Sequence, residues 1–107
     1  MEGTRNGETA VIFMAMRTSA DAEGYAEAAA AMEQLAARQP GYRGIESTRG
    51  GDGFGITVSF WADEASALAW KHNADHARIR EMGRARWYQY YEIAVAQIGR
   101  SYRWNAM

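Results

Sequence analysis

Residues 9–17 read TAVIFMAMR. The run is rich in Val, Ile, Phe and Met, holds no Gly or Pro, and predicts a β-strand. Successive side chains of a strand point to opposite faces. Val11, Phe13 and Ala15 therefore share one face, and Ile12, Met14 and Met16 share the other. A strand with one solvated face would carry polar residues on it. This one is apolar on both, so its sheet must be covered from two sides.

Outward from this strand, Asp21 to Arg38 predicts a helix with Ser19 or Asp21 as N-cap. Tyr25, Ala28, Ala29, Met32, Leu35 and Ala36 recur at helical spacing and form its buried stripe. Pro40-Gly41 ends it. Strands are expected over Tyr42 to Arg49 and Phe54 to Trp61, and the intervening GGDG supplies the backbone freedom of a hairpin. Asp63 caps a second helix running to about His72. Asn73-Ala74-Asp75 reads as a break, with Asp75 as the cap of a further helix through Arg86. A last strand, WYQYYEIAVAQI, covers Trp87 to Ile98. The order β-α-β-β-α-β is that of an α+β, ferredoxin-like plait, an antiparallel four-stranded sheet with helices on one face. The helices cover one side. A second copy of the chain is the simplest cover for the other, which makes a homodimer the expected state.

The 107 residues suit one domain, 9–107, preceded by a loose polar tail over residues 1–8. Twelve basic residues against thirteen acidic ones leave a formal charge of -1, which marks no nucleic-acid or membrane binder. Without cysteine, thiolate metal sites, disulfides and thiol nucleophiles are excluded. The polar start lacks the apolar core of a signal peptide, and no apolar run approaches the roughly 20 residues of a membrane span. A cytoplasmic location is the expectation.

Three constellations bear on chemistry. DGFGITVS, residues 52–59, has the Gly-Phe-Gly of an RNA-recognition strand. Asp52 stands where a basic residue belongs, and Ile56 and Ser59 replace stacking aromatics, so RNA is rejected. In WKHNADH, residues 70–76, His72 and His76 have the spacing of zinc ligands on a helix. The break at Asn73 removes that geometry, and no third His or Cys completes a set, so no metal is expected. The third set is aromatic and polar: Trp61, Trp70, His76, Trp87, Tyr88, Tyr90 and Tyr91. Trp61 and Trp87 read as core. Trp70 and His76 flank the helix break, where irregular backbone leaves room for a pocket, and His is the usual acid–base residue near neutral pH.

The FMAMR strand, PGYRGIE, GITVSFWADEASALAWKHNADH, GRARWYQYYEIAVAQI and the trailing RSYRW together resemble the antibiotic biosynthesis monooxygenase superfamily of dimeric α+β barrels, over about residues 9–103. That resemblance implies a homodimer with sheets packed face to face and a pocket between sheet and helices in each subunit. Relatives include cofactor-independent oxygenases of aromatic polyketides, quinol oxygenases and haem-degrading enzymes. The haem branch uses an Asn on the first strand, a Trp on the second helix and a His ten residues later. Trp70 matches the Trp, but Met14 and Met16 stand near the Asn position and Arg80 replaces the His. The polyketide branch uses neither metal nor flavin, so no cofactor is expected. It implies a small aromatic substrate, molecular oxygen, Trp70 as pocket wall and His76 as acceptor of the phenol proton. Tyr88, Tyr90 or Arg80 would stabilise charge, with Met14 and Met16 also lining the substrate site. The competing reading is a dimeric module that binds a small aromatic without turning it over.

Overall fold

The computed structural model describes residues 5–106. The chain runs β1 (Thr9–Arg17), α1 (Ala22–Ala37), β2 (Tyr42–Arg49), β3 (Phe54–Trp61), α2 (Glu64–Lys71), α3 (Ala74–Met82), a π-helical turn (Gly83–Trp87) and β4 (Tyr88–Gln97). The four strands form one antiparallel sheet in the order β2-β3-β1-β4, the ferredoxin-like α+β arrangement. β1 is central, between β3 and β4, which accounts for its continuous apolarity.

Side chains that pair across strands share a face. Thr9 faces Trp61, Val11 faces Ser59 and Val95, and Phe13 faces Thr57 and Ile93, all on the side of the helices. The core lies there, in Ala36, Trp61, Ala67 and Trp70, with Val11, Met32, Leu35 and Tyr42 packed against it. The outer face carries Ile12, Met14 and Met16 of β1 beside Phe54, Ile56, Val58 and Phe60 of β3. No element among the described residues covers it, and these seven side chains stay half-buried or exposed.

The helix ends follow from local chemistry. Asp21 caps α1 from a left-handed backbone (φ 50°), its carboxylate accepting the Gly24 N–H. Asp63 does the same for α2 through the Ser66 N–H. The break after α2 falls where it was expected, but its cap is Asn73 and not Asp75. The Asn73 amide oxygen accepts the N–H groups of both Asp75 and His76 at 3.0 Å. The helix expected to run to Arg86 ends at Met82, because the next turn is π-helical: the Tyr88 N–H reaches back to the Gly83 carbonyl. Tyr88 lies against Gly83 so closely that a Cβ there would sit 2.9 Å from its ring. Trp87, expected in the last strand, closes this turn instead.

The tail expected over residues 1–8 is anchored from Arg5 onward; residues 1–4 lie outside the described part. The Gly7 N–H donates to the Ile98 carbonyl, the Ile98 N–H donates to the Glu8 carbonyl, and Arg5 pairs with Glu8 at 2.9 Å. Among the described residues, no helix is long and apolar enough to cross a membrane.

Candidate active site

The break at Asn73 turns the chain so that the first residues of α3 fold back on the end of α2. His76 then lies flat on Trp70, ring centres 4.1 Å apart and 27° from parallel. Trp70 stacks in turn on Trp61 at 5.8 Å, and Tyr42 meets Trp61 edge-on at 5.8 Å. The tryptophans are buried, so this stack forms the wall from which the imidazole projects.

Nδ1 of His76 lies 2.8 Å from the Trp70 carbonyl oxygen. A carbonyl can only accept, so Nδ1 carries the proton, and in the neutral ring Nε2 is left with a free lone pair. Burial pushes the His76 pKa below the ordinary imidazole value and Arg80 pushes the same way, while the Trp70 carbonyl opposes them. The ring is therefore neutral at physiological pH, and Nε2 can accept a proton. Arg80, one turn further along α3, donates through Nη1 to the Lys71 carbonyl. Its Nε–H is buried and has no partner among the described residues. A buried donor left free costs stability unless something else uses it.

A bulge in the pairing of β1 with β4, between Met16 and Arg17, decides which tyrosines face the helices. Tyr91 pairs with Ala15 and Tyr88 with Arg17, and both point to the helix side. Phe13 sits 5.4 Å from Tyr88 and 5.3 Å from Tyr91. Burial, followed by the neighbouring Tyr25, holds the Tyr88 hydroxyl well above the usual phenol range. Tyr91 accepts a 2.6 Å hydrogen bond from Nε of Arg84.

Of the residues singled out in the sequence, Trp70 and His76 are in contact, with Arg80 on the same helix and Tyr88 on the same side of the sheet. Tyr90 pairs with Met16, and with Met14 they lie on the outer face, across the sheet from His76. They do not join this group. Tyr91, named in the aromatic set but given no site role, also faces the helix side, as do Phe13 and Tyr25, which were not singled out as site residues. The phase shared by Val11, Phe13 and Ala15 was the available signal for Phe13. His72 ends α2 as its exposed C-cap. Among the described residues, no three His, Cys, Asp or Glu side chains converge on a common metal position.

The helices do not close this side completely. Ile93 and Val95 of β4 face it yet are 48% and 54% exposed. A shallow hollow of about 260 Å³ touches Trp70 and is lined by Ser66 and other residues of α2, by its cap Asp63, and by Gln39 and Pro40 after α1.

Comparison with known proteins decides the family. The family model described as antibiotic biosynthesis monooxygenase matches residues 9–82, which include Trp70, His76 and Arg80. The chain belongs to that family. It is 44% identical over 91 residues to the uncharacterized protein YqjZ of Bacillus subtilis (strain 168), spanning 85% of this chain and 79% of the relative. The fold is similar to that of SnoaB from Streptomyces nogalater, described as a cofactor-independent oxygenase. The TM-score is 0.73 at 18% identity, covering 92% of this chain and 96% of the other. It is equally similar to Rv0793 from Mycobacterium tuberculosis, with a TM-score of 0.73 at 12% identity over 83% and 92% of the two chains. At such identities the structural likeness carries the antibiotic biosynthesis monooxygenase fold and nothing finer.

Proposed function

We propose that this family member is a cofactor-independent monooxygenase that oxidises a small, electron-rich aromatic of the phenol, anthrone or quinol type with molecular oxygen, as a homodimer. The Trp70–His76 pair carries the reading: an imidazole held flat on an indole, its Nδ1 proton tied to a carbonyl, its Nε2 free. A phenol stacked beside this wall gives its proton to Nε2. The resulting phenolate transfers one electron to oxygen, and the phenoxyl and superoxide radicals combine at carbon. Loss of water from the peroxide leaves a quinone, so one oxygen atom enters the product and the other leaves as water.

A neutral histidine with a lowered pKa is a weak base, so the phenolate itself must be stabilised. Among the described residues the Nε–H of Arg80 is unpartnered, and it offers a preformed donor for a developing oxyanion. The haem-degrading alternative is disfavoured by Arg80, a guanidinium that cannot ligate iron, at the position where that branch has its His.

The homodimer rests on the outer face. Its contiguous row of Ile, Met, Phe and Val is larger and more apolar than an isolated sheet presents to water, and a second sheet of the same pattern covers it. Whether the chain pairs in solution is read directly from its mass.

The test of function is oxygen uptake by metal-free protein with a panel of anthrones and hydroquinones, beside His76→Ala. Loss of the base lowers turnover by roughly 10²- to 10⁴-fold. Uptake by His76→Ala as fast as by the parent removes the assigned role. One observation favours a second reading, a module that binds an aromatic without oxidising it. The open flank at Ile93 and Val95 admits water, which radical intermediates tolerate poorly. Binding without uptake across the panel selects that reading.

A further inference from the structure

Among the described residues, two arginines on the helix side of the sheet have no carboxylate within salt-bridge distance. Arg17 ends β1 and Arg49 ends β2, both at the opposite end of β1 from the Trp61 pair. The Arg17 guanidinium lies 3.7 Å from the centre of the Tyr25 ring and that of Arg49 lies 5.5 Å from the same centre. Arg49 also donates to the Tyr25 hydroxyl at 3.0 Å and to the carbonyls of Ala15 and Gly53. Arg17 donates to the carbonyls of Trp87 and Ala20. Among the described residues neither makes a salt bridge. The carboxylate recorded nearby, Asp21, is occupied by the Gly24 N–H, the Trp87 indole and Arg86.

Carbonyls and a phenol satisfy some N–H groups but leave two permanent positive charges uncompensated and half-buried. Each guanidinium has five N–H donors, so among the described residues Arg17 keeps three free and Arg49 two. The sheet also makes room for this arrangement. A Cβ on Gly55 would sit 2.7 Å from Cζ of Arg49, so the guanidinium lies across β3 only because residue 55 has no side chain. Beside the charges stands an aromatic wall, Tyr88 perpendicular to Tyr25 at 5.9 Å and Phe13 behind it.

We infer that Arg17, Arg49 and the Tyr25–Tyr88 pair form a binding site for a small aromatic carboxylate, the acid on the guanidinium groups and the ring against Tyr88. Arginine suits this task because its planar donors match a carboxylate's two oxygens. The Tyr88 hydroxyl stays protonated, so the wall adds no negative charge against the acid. The site does not depend on the oxygenase reading, since it neither includes His76 nor requires turnover.

The test is calorimetric titration of the whole protein at pH 7 with 2-naphthoate, with neutral 2-naphthamide of the same shape, and with inorganic phosphate. Naphthoate is expected to bind at least ten-fold more tightly than the amide. The preference is expected to vanish in Arg49→Gln, and to be weakened in Arg17→Lys, which keeps a charge but loses the planar fork. Thermal melts of each variant separate loss of the site from loss of the fold, and the acid–amide comparison in the unaltered protein needs no variant. Equal binding of acid and amide, or no binding of naphthoate at millimolar concentration, overturns the site. Phosphate binding as tightly as naphthoate overturns the aromatic part, because charge alone would then explain the affinity. Failure of oxygen uptake leaves this result untouched, and the converse holds as well.

Discussion

Replacing Asn73 by Ala should loosen the segment that carries His76, and the size of the effect follows from the cap. One amide oxygen satisfies two backbone N–H groups, those of Asp75 and His76. Loss of an Asn cap costs about 1 kcal/mol and up to about 2, and the double acceptance places this one in the upper part of that range. For a chain of this size each kcal/mol moves the melting temperature by about 4–8 °C, so Asn73→Ala is expected to melt about 6–16 °C below the parent. Circular dichroism measures this directly. Asn73→Asp keeps an acceptor and adds a negative charge at the positive end of α3, so it should stay within about 0.5 kcal/mol of the parent. A second readout is the His76 ring. If the cap holds the imidazole against the Trp70 carbonyl, its pKa by NMR should move back toward the ordinary value in Asn73→Ala and not in Asn73→Asp. An unchanged melting temperature in Asn73→Ala, or equal losses in both variants, would refute the assignment of Asn73 as the cap that positions His76.

Three further outcomes follow from the geometry. His76 has a folded-state pKa below its unfolded value near 6.5, so the unfolded chain takes up that proton first on acidification. The stability it contributes is complete above pH 6.5 and lost as pH falls through the folded pKa; denaturant titrations at pH 7.5 and pH 5 should show a smaller difference for His76→Gln than for the parent. Gly55→Ala expels the Arg49 guanidinium from its bonds to Ala15, Gly53 and Tyr25 and should cost about 1 kcal/mol after the gain from removing a strand glycine. In an Arg49→Ala background the same change should be neutral or stabilising, and an undiminished cost there refutes the contact. Met14→Glu places a charge in the middle of the outer face, and on the proposed pairing light scattering should find a dimeric parent and a monomeric variant; equal masses for the two refute pairing through this face.

The strands were legible because their signals are local. β1, β2 and β3 start and stop at the residues expected from β-branched content and the Gly-rich hairpin. The helix break was legible too, but not its cap, since Asn73 and Asp75 are both good cap formers and only the backbone at Asn73, φ -61° and ψ 130°, chooses between them. The π-helical turn left no sequence pattern, because it depends on Tyr88 folding down onto Gly83. The tyrosines of β4 show the same limit from another side. Strict alternation groups Tyr88 with Tyr90, whereas the bulge beside Met16 sends Tyr88 and Tyr91 to one face and Tyr90 to the other. Arg17 and Arg49 carry no signal beyond their place at strand ends, because what distinguishes them is their approach to Gly55 and Tyr25, which only the fold brings about.

The stack of Trp61, Trp70 and His76 also gives the molecule an optical handle. Two indoles in near-parallel contact share their excitation, and a protonated imidazole lying on one of them quenches its emission while a neutral imidazole does so far less. Native tryptophan fluorescence should therefore fall as His76 titrates and respond when a ring is laid against Trp70. The protein carries its own dye at the candidate site, so protonation and occupancy there can be followed without a label, an added cofactor or a turnover assay.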